Sequence, residues 1–345
     1  MAAAAHARDQ EAALIQATPG LSPTPSDARC LVLGAGGFIG TNLCLALAAA
    51  GIPTTGYGRT ALPPPALSGL DRLHWAQGTI ETLADPDRLV ADHTHLFDLI
   101  GAGLPNSSND NPAQTVADGL PPKVRLLEAC RRQGVQRTVF TSSGGTVYGP
   151  AGDAPIPETA PTNPISAYGI GKLTVEKYLA LYRHLHGLDY RVLRIANAYG
   201  EHQNPERGQG LVAAVLDRLL TGRPIPVWGD GATVRDYLHI DDVVAAILAV
   251  AFSDTDGARL YNVGSGIGRS VRAVIDDAAR ITGRQPKLTV TAARSADVAV
   301  NILDSGLLRR ETGWRPSVEW DEGLARTAAW LLGRDRSSEA AVDPT

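Results

Sequence analysis

The chain has 345 residues, of which 44% are hydrophobic and 20% charged, a composition typical of a soluble globular enzyme with one large domain or two modest ones. Its net charge of −4 gives no electrostatic reason to expect a nucleic-acid partner, and no apolar run approaches the ~20 residues that span a membrane. The N-terminus makes a poor signal peptide because it lacks a long apolar core, so we expect a cytoplasmic protein without a membrane partner.

The first part of the chain alternates short apolar runs with helical patterns. Residues 1–27 are rich in Ala, Pro, Ser and Thr and predict a disordered extension. Alternation of strands and helices predicts an α/β fold, with a Rossmann-type, doubly wound parallel sheet over residues 28–198 that is covered on both faces. We predict strands at 29–33, 52–57, 96–100, 137–142 and 190–195, and helices at 41–50, 112–133 and 167–186; Pro121-Pro122 must kink or split the second of these helices.

The pattern changes after about residue 198, where Pro, Gly and short mixed segments dominate. Residues 199–334 predict a smaller C-terminal substrate-binding lobe that closes over the carboxyl edge of the sheet, with later segments returning to the sheet domain. Within the lobe we expect short helices at about 241–252, 270–282 and 321–332. Residues 335–345 predict a frayed tail.

The three cysteines, Cys30, Cys44 and Cys130, are odd in number and far apart in the sequence. Their neighbours are typical of strands or helices, which predicts buried, reduced thiols. No group of cysteines and histidines has the spacing of metal ligands, so the sequence predicts no metal site.

A glycine loop follows the first predicted strand. Gly34, Gly37 and Gly40 have the spacing G-x-x-G-x-x-G, with Phe38 and Ile39 between the last two, at the mouth of the first helix. Glycines allow the tight turn, the close approach of a pyrophosphate and tight packing of helix on sheet. The free N–H groups at the helix N-terminus suit phosphates, so the loop predicts dinucleotide binding.

The end of the second strand bears on the choice of cofactor. An acidic residue there would bind the ribose 2′-hydroxyl of NAD, but the strand ends Tyr57-Gly58-Arg59. The guanidinium of Arg59 suits a 2′-phosphate by charge and geometry, although a solvated loop arginine is also common. We therefore expect NAD(P)(H), and favour NADP over NAD.

Tyr168 and Lys172 are four residues apart in a predicted helix and so share one face. A lysine cation beside a tyrosine lowers the pKa of the phenol, which can then exchange a proton with an alcohol oxygen. With a dinucleotide to take the hydride, the pair predicts reversible alcohol–ketone chemistry.

The chain resembles the extended short-chain dehydrogenase/reductases that act on nucleotide sugars, from about residue 30 to residue 332. The motifs that carry the resemblance are Gly34-Ala-Gly-Gly-Phe-Ile-Gly40, Thr141-Ser-Ser-Gly-Gly-Thr-Val-Tyr-Gly149, Tyr168-Gly-Ile-Gly-Lys172, Arg194-Ile-Ala-Asn-Ala-Tyr-Gly200, Arg235-Asp-Tyr-Leu-His-Ile-Asp-Asp242 and Asn262-Val-Gly264. The resemblance implies an NDP-sugar substrate and a homodimer that packs through the helices at 112–133 and 167–186.

The same resemblance implies roles for single residues. Tyr168 would be the acid/base, and Lys172 would bind the nicotinamide ribose and lower the pKa of the phenol. Asn197 would support the substrate phosphates, and Arg235 and Arg294 would clamp the diphosphate, for which guanidinium groups are well suited. We also expect Trp228 to lie near the nucleotide base or in the core, His239 to make structural hydrogen bonds, and Asp241 to cap a helix.

The sequence departs from the family at three places. Gly144 occupies the position of the catalytic serine or threonine, so Ser143 or Thr146 would supply the hydroxyl. Gly171 replaces a serine, and we expect close packing to require it. The segment Gly78-Thr79-Ile80 lacks the aspartate that contacts adenine in the family.

Three functions remain open. The segment Gly144-Gly145-Thr146 supplies no acid, which disfavours the dehydratase and decarboxylase branches. The first hypothesis is an NDP-sugar 4-epimerase that acts through a 4-keto-hexose. The second, favoured by Arg59 and Gly144, is an NADPH-dependent NDP-4-keto-hexose 4-ketoreductase of sugar biosynthesis. The third is a cofactor-sensing or scaffold protein that keeps the fold but has weak or no catalytic activity.

Overall fold

The centre of the molecule is a seven-stranded sheet in which every adjacent pair of strands is parallel. The computed structural model describes residues 26–101, 108–152, 155–207, 210–254, 256–292 and 298–340. The strands are β1 (Cys30–Leu33), β2 (Thr54–Gly58), β3 (Leu73–Gln77), β4 (His95–Asp98), β5 (Arg137–Ser143), β6 (Tyr190–Ile195) and β10 (Leu260–Val263), and their order across the sheet is β3-β2-β1-β4-β5-β6-β10. The order reverses between β1 and β4, which opens a crevice at the carboxyl ends of these strands.

Alternate residues of each strand enter different cores, because successive side chains of a strand point to opposite faces. Cys30 and Val32 belong to the core on one face, and Leu31 and Leu33 to the core on the other. The first core is covered by α1 (Phe38–Ala49) and α6 (Ile240–Ala251), and the second by α2 (Pro86–Val90), α3 (Pro112–Gln133) and α4 (Ala167–His186). The predicted Rossmann-type, doubly wound α/β fold is therefore confirmed.

The predicted boundaries of α3, α4 and β6 agree with the structure. Gly134 and Gly187 end α3 and α4 in the left-handed conformation, which glycine adopts without strain. The helix α3 runs unbroken through Pro121 and Pro122, so the proline pair does not split it. The missing N–H groups weaken a helix without necessarily ending it.

The lobe is built from short elements that pair over long sequence distances. A small sheet joins β9 (Val234–His239) to three short strands, β7 (Asn197–Tyr199), β11 (Gly268–Ser270) and β13 (Val300–Asn301), and a second sheet pairs β8 (Ile225–Trp228) with β12 (Leu288–Thr291). Helices α5 (Leu211–Thr221), α7 (Val271–Thr282) and α9 (Trp320–Ala340) pack around the lobe core, to which Val212, Leu216 and Ile275 belong. Helix α8 (Gly306–Thr312) returns to the sheet domain, where Leu308 enters the first core.

Several predictions about the ends of the chain can be compared with the structure. Most of the predicted N-terminal extension, residues 1–25, lies outside the described residues. The last helix, α9, continues to Ala340, past both its predicted end at residue 332 and the predicted start of the tail. Among the described residues, no helix combines the length and the apolar character needed to cross a bilayer.

The three cysteines are buried and form no disulfide, as predicted. Burial raises the pKa of the Cys44 and Cys130 thiols to about 12 each, because the interior disfavours the thiolate. At neutral pH these groups act as small apolar side chains in the two cores.

Candidate active site

A cavity of about 910 Å³ lies at the carboxyl ends of β1, β4, β5 and β6, beneath the lobe. This is the position at which open α/β sheets bind their ligands. The structure brings most of the predicted site residues into its wall: Gly34, Gly37, Phe38, Ile39, Gly40, Ser143, Thr146, Tyr168, Lys172, Asn197 and Arg235.

The glycine loop forms one wall of the cavity and leaves no room for a side chain at Gly40. A Cβ atom at Gly40 would lie 2.1 Å from the carbonyl oxygen of Gly34 and 2.8 Å from Cα of Ala35. Gly34 itself has a φ of +82°, in the region that favours glycine. Within the described chain, no side chain caps the first turn of α1, whose residues line the cavity. The close backbone approach and the uncapped N–H groups fit the pyrophosphate of a dinucleotide.

Three side chains fix the start of α4. Ser166 Oγ accepts a hydrogen bond from Gly169 N at 3.1 Å, Ser108 Oγ from Tyr168 N at 3.1 Å, and Asn109 Oδ1 from Ala167 N at 2.8 Å. Orphan N–H groups at a helix start are commonly satisfied in this way. The caps hold Tyr168 in the first turn, with its side chain in the cavity wall.

Lys172 lies one turn further along α4 and is only 6% exposed. Its Nζ donates to the carbonyl oxygens of Thr141 at 2.7 Å and Ile100 at 3.4 Å, and it lies 5.7 Å from the ring centroid of Tyr168. Burial lowers the pKa of Lys172 to about 8, because the interior disfavours the charged ammonium. The carboxylates of Asp98 and Glu176 act in the opposite direction and favour the charged form. The ammonium group is thus held by backbone oxygens behind the tyrosine ring.

Burial raises the pKa of Tyr168 to about 12. The prediction that Lys172 shifts this phenol towards neutral pH is therefore wrong for the structure as described. The reason is geometric, because the lysine directs its hydrogen bonds to Thr141 and Ile100. Desolvation, which favours the neutral phenol, is then the dominant effect.

A side chain at Gly144 would crowd Leu303 and the backbone of Arg194. A Cβ atom would lie 2.4 Å from Cδ1 of Leu303 and 3.1 Å from the carbonyl oxygen of Arg194. The two predicted substitutes, Ser143 and Thr146, both line the cavity. Within the described part of the chain, Thr146 Oγ1 is buried and has no hydrogen-bond partner. Since buried hydroxyl groups are normally bonded, Thr146 is the better candidate for a contact with a ligand.

The lobe supplies the far wall of the cavity. Asn197 Nδ2 donates to the carbonyl oxygen of Asp236 at 3.1 Å, and Arg235 donates to that of Val234 at 2.8 Å. Both side chains are partly exposed in the wall, where an amide and a guanidinium can bind an anion. The predicted partner Arg294 lies outside the described residues.

Trp228 and Arg59 lie away from the described cavity wall. Trp228 ends β8 and is 41% exposed, so its assignment to the core is wrong, and its predicted contact with a nucleotide base stays a prediction. Arg59 follows β2 and is exposed; its carbonyl oxygen accepts a hydrogen bond from Gln77 Nε2 at 3.2 Å.

The chemical character of the wall is informative. Among the described residues that line the cavity, none carries a carboxylate. The groups that can exchange protons there are phenol, hydroxyl and ammonium groups. The cavity therefore suits proton exchange with an alcohol better than acid-assisted loss of water.

Sequence reasoning misplaced two residues next to the site. The residue that caps α6 is His239, whose Nδ1 accepts from Asp241 N at 3.2 Å, so Asp241 is in the first turn and is not the cap. A Cβ atom at Gly171 would meet nothing within 4 Å, so close packing does not require glycine there.

Some residues of the site were not found from the sequence at all. Gln203 and Tyr237 line the cavity from the lobe, and a buried ion pair between Asp98 and Lys123 lies next to Lys172. For this ion pair the only signal in the sequence was Asp98, the acid at the end of β4. Its partner is 25 residues away in the sequence and could not be identified by spacing.

The model of the family described as "NAD dependent epimerase/dehydratase family" matches residues 30–264. The UDP-glucose 4-epimerase of Mycolicibacterium smegmatis is 34% identical in an alignment of 318 positions that covers 89% of this chain and 100% of that protein.

Two solved structures are similar over almost the same length. UDP-glucose 4-epimerase of Thermotoga maritima, crystallised with UDP-glucose, has a TM-score of 0.83 at 31% identity and covers 89% of this chain and 99% of its own. UDP-glucose 4-epimerase of Thermus thermophilus, in complex with NAD, has a TM-score of 0.80 at 31% identity and covers 88% and 99%. The likeness therefore includes both the sheet and the lobe.

Proposed function

Since the chain belongs to the NAD dependent epimerase/dehydratase family, we propose that it is a nucleotide-sugar 4-epimerase that works through a 4-keto-hexose intermediate. The chain is an NAD(P)-dependent enzyme of the nucleotide-sugar branch. The observation that carries the proposal is one cavity that joins Tyr168 and Lys172 to Arg235, with no carboxylate among its described wall residues.

The glycine loop and Lys172 would hold the dinucleotide. The backbone of Gly34–Gly40 lines the cavity, and its glycines would let a pyrophosphate come close to the N–H groups. Lys172 would contact the nicotinamide ribose. The chemistry that a bound nicotinamide supplies is the reversible uptake of a hydride from the sugar carbon. Arg235 and Asn197 would bind the diphosphate of the substrate and so place the sugar between the lobe and α4.

Tyr168 would exchange the proton of the sugar hydroxyl. Its pKa of about 12 keeps the proton on the phenol at neutral pH, which suits protonation of a ketone oxygen. Removal of the hydroxyl proton needs Tyr168 as the phenolate, so the pKa of this phenol would have to fall when cofactor and sugar are bound. Lys172, whose Nζ lies 5.7 Å from the centroid of the Tyr168 ring, would supply the cation that favours the phenolate. Thr146 Oγ1 would donate to the same oxygen of the sugar.

A dehydratase would need a carboxylic acid to remove a hydroxyl from the neighbouring carbon. The described cavity wall holds none, and a side chain at Gly144 would require the Leu303 side chain to shift. This supports epimerisation over loss of water within a family whose description includes dehydratases.

The test is the stoichiometry of the reaction. Purified protein is incubated with UDP-glucose or UDP-galactose in the presence of NAD, and both the sugars and the absorbance of reduced nicotinamide are followed. We expect interconversion of the sugars without net change in the cofactor. The Tyr168→Phe protein is the matched control. If the folded protein binds the cofactor but interconverts none of several NDP-hexoses, the proposal is contradicted and a cofactor-sensing role is favoured.

The second candidate is an NADPH-dependent 4-ketoreductase, which Arg59 favours because an arginine suits a 2′-phosphate. Net oxidation of NADPH in step with reduction of an NDP-4-keto-6-deoxyhexose would establish this function. The variant Arg59→Ala should then weaken NADP binding and spare NAD. Equal effects on both cofactors would reject the role of Arg59.

We also propose a homodimer that packs through α3 and α4. Four large apolar side chains of these helices are exposed, and burial of exposed apolar surface favours association. The four are Val116, Ile170, Leu181 and Leu185. Light scattering should give a dimer for the natural protein and a monomer for Leu181→Glu/Leu185→Glu. A monomeric natural protein would contradict the proposal.

A further inference from the structure

A buried ion pair lies directly behind the cavity. Asp98 ends β4 and Lys123 lies in the middle of α3, and each residue is 4% exposed. Lys123 Nζ donates to Asp98 Oδ1. Burial of two charges costs free energy that a simple apolar contact at the same place would not, so such a pair is weak evidence for stability and calls for another explanation.

The ion pair is linked to Lys172 through one carbonyl group. The carbonyl oxygen of Ile100 accepts from Lys123 Nζ at 3.1 Å and from Lys172 Nζ at 3.4 Å. The N–H of the same residue donates to Asp98 Oδ1 at 3.2 Å. The ion pair thus holds both polar groups of the Ile100 peptide backbone.

The other acceptor of Lys172 is also tied to Asp98. Thr141 accepts from Lys172 Nζ at 2.7 Å through its carbonyl oxygen, and its hydroxyl donates to the carbonyl oxygen of Asp98 at 3.4 Å. Both oxygens that bind Lys172 therefore belong to residues that are bonded to Asp98.

We infer that Asp98 and Lys123 are positioning residues, which hold the two backbone acceptors of Lys172 and whose opposite charges set the protonation of Lys172 in the cavity. The inference rests on the proposed function only where it treats Lys172 as a cofactor-binding residue. The geometry itself is independent of the substrate.

Among the described residues, the charged and titratable groups next to Lys172 come from three elements, α4, β4 and α3. On α4 it has Tyr168 one turn before it and Glu176 one turn after, and Glu176 is already paired with Arg194, at 2.6 Å. Asp98 approaches from β4 and Lys123 from α3, where the two form the ion pair. The carboxylate of Glu81 also favours the charged form of Lys123. Burial lowers the pKa of Lys172 and of Lys123 to about 8 each, and the carboxylate of Asp98 opposes this in both. The ammonium of Lys172 also disfavours the charge of Lys123, and by Coulomb's law the repulsion between the two cations is mutual.

Two neutral substitutions should act in opposite directions. Lys123→Met removes a neighbouring cation and leaves the carboxylate, so the pKa of Lys172 should rise. Asp98→Asn removes the carboxylate and leaves the cation, so the same pKa should fall. Each shift should be at least about one pH unit, since the charges are close and largely shielded from water. The double variant should lie between the single ones.

The experiment is an NMR titration of the lysine side chains in the full protein. The chain has four lysines, at positions 123, 172, 177 and 287, so ¹³C and ¹⁵N labelling of lysine gives a simple spectrum. Lys177 and Lys287 are exposed and serve as internal references. In the natural protein we expect Lys123 and Lys172 to titrate well below the two references.

The outcomes separate the inference from the proposed function, because the titration needs no substrate. Opposite shifts of Lys172 in the two folded variants support the inference, even if no sugar is ever turned over. A Lys172 midpoint that is unchanged in both would overturn it. If a variant does not fold, a titration of the natural protein in which Lys172 shows the ordinary midpoint of a solvated lysine would overturn it as well.

An active assay adds a second readout. With Asp98→Asn the alkaline limb of kcat should move to lower pH, with about a fivefold loss at pH 8 if the pKa of Lys172 falls by one unit. Lys123→Arg keeps the charge and should retain the natural limb. A purely structural role would change the amount of folded protein and leave the limb in place.

Discussion

The two sides of the cavity are built in different ways. On the sheet side, the glycine loop, β5 and α4 place each group at a strand end or in a helix turn that buried hydrogen bonds hold, as with Tyr168 and Lys172. On the lobe side, Asn197 and Arg235 come from short strands and bond to neighbouring backbone. The sheet side is therefore suited to fix the reacting groups, and the lobe side to bind an anionic part of the substrate that does not react.

Within the sheet side, we expect the glycine loop to be the part that is most sensitive to substitution. In Gly40→Ala the new methyl group would lie 2.1 Å from a backbone oxygen that cannot rotate away. We expect a loss of about 3 kcal/mol or more in the free energy of unfolding, together with loss of dinucleotide binding. Urea denaturation and calorimetric titration with NAD measure the two effects.

The matched control is Gly171→Ala on α4, where nothing lies within 4 Å of the added methyl. Alanine in a helix should leave stability unchanged or raise it by about 0.5–1 kcal/mol. Equal losses in the two variants would mean that the glycine loop is not specially constrained.

The next largest effect should come from Tyr168→Phe, which removes the proton donor and keeps the ring. We expect kcat to fall by ~10²–10⁴-fold, since this is the usual contribution of a general acid/base. Binding of NAD should be almost unchanged, because the caps of α4 and the bonds of Lys172 use backbone and other side chains. Turnover that survives this change would remove Tyr168 from the mechanism.

The choice between two hydroxyl groups sharpens the picture of the sheet side. Thr146→Val should lower kcat about 100-fold if the unpaired Oγ1 of Thr146 donates to the sugar oxygen. Thr146→Ser restores the hydroxyl and should recover most of the rate. Ser143→Ala should cost much less, and the reverse order of losses would assign the hydroxyl to Ser143.

The contrast between the sides also explains what could be predicted from the sequence. The bounds of α4 agree because Ser166 and Gly187, which begin and end it, are local signals. Most of the sheet strands are buried apolar runs and were found, whereas β3 and β10 were missed. The residues of β3 are only partly buried and lack a clear apolar run, and those of β10 follow the short mixed segments of the lobe in the sequence. For the same local reason the glycine spacing predicted a loop that the structure places in the cavity wall.

The lobe side depends on contacts that no local pattern contains. The strand β9 pairs with β7, β11 and β13, which lie far apart in the sequence, and each of these three strands is short. The same limit applies to the pKa of Tyr168. Spacing placed Lys172 on its face of the helix, but the two backbone oxygens that engage the ammonium come from other strands and loops.

The lobe side should respond to substitution in a different kinetic constant. Arg235→Gln should raise KM about 10–100-fold, since a hydrogen bond to a charged group contributes about 1.5–3 kcal/mol, and should change kcat little. Arg235→Lys keeps the charge but not the planar donor pair and should give a smaller rise. The exposed Arg272 of the same lobe, changed to Gln, controls for loss of charge alone. If Arg235→Gln instead lowers kcat as Tyr168→Phe does and leaves KM unchanged, the lobe helps to place the reacting carbon, and the division of labour between the two sides does not hold.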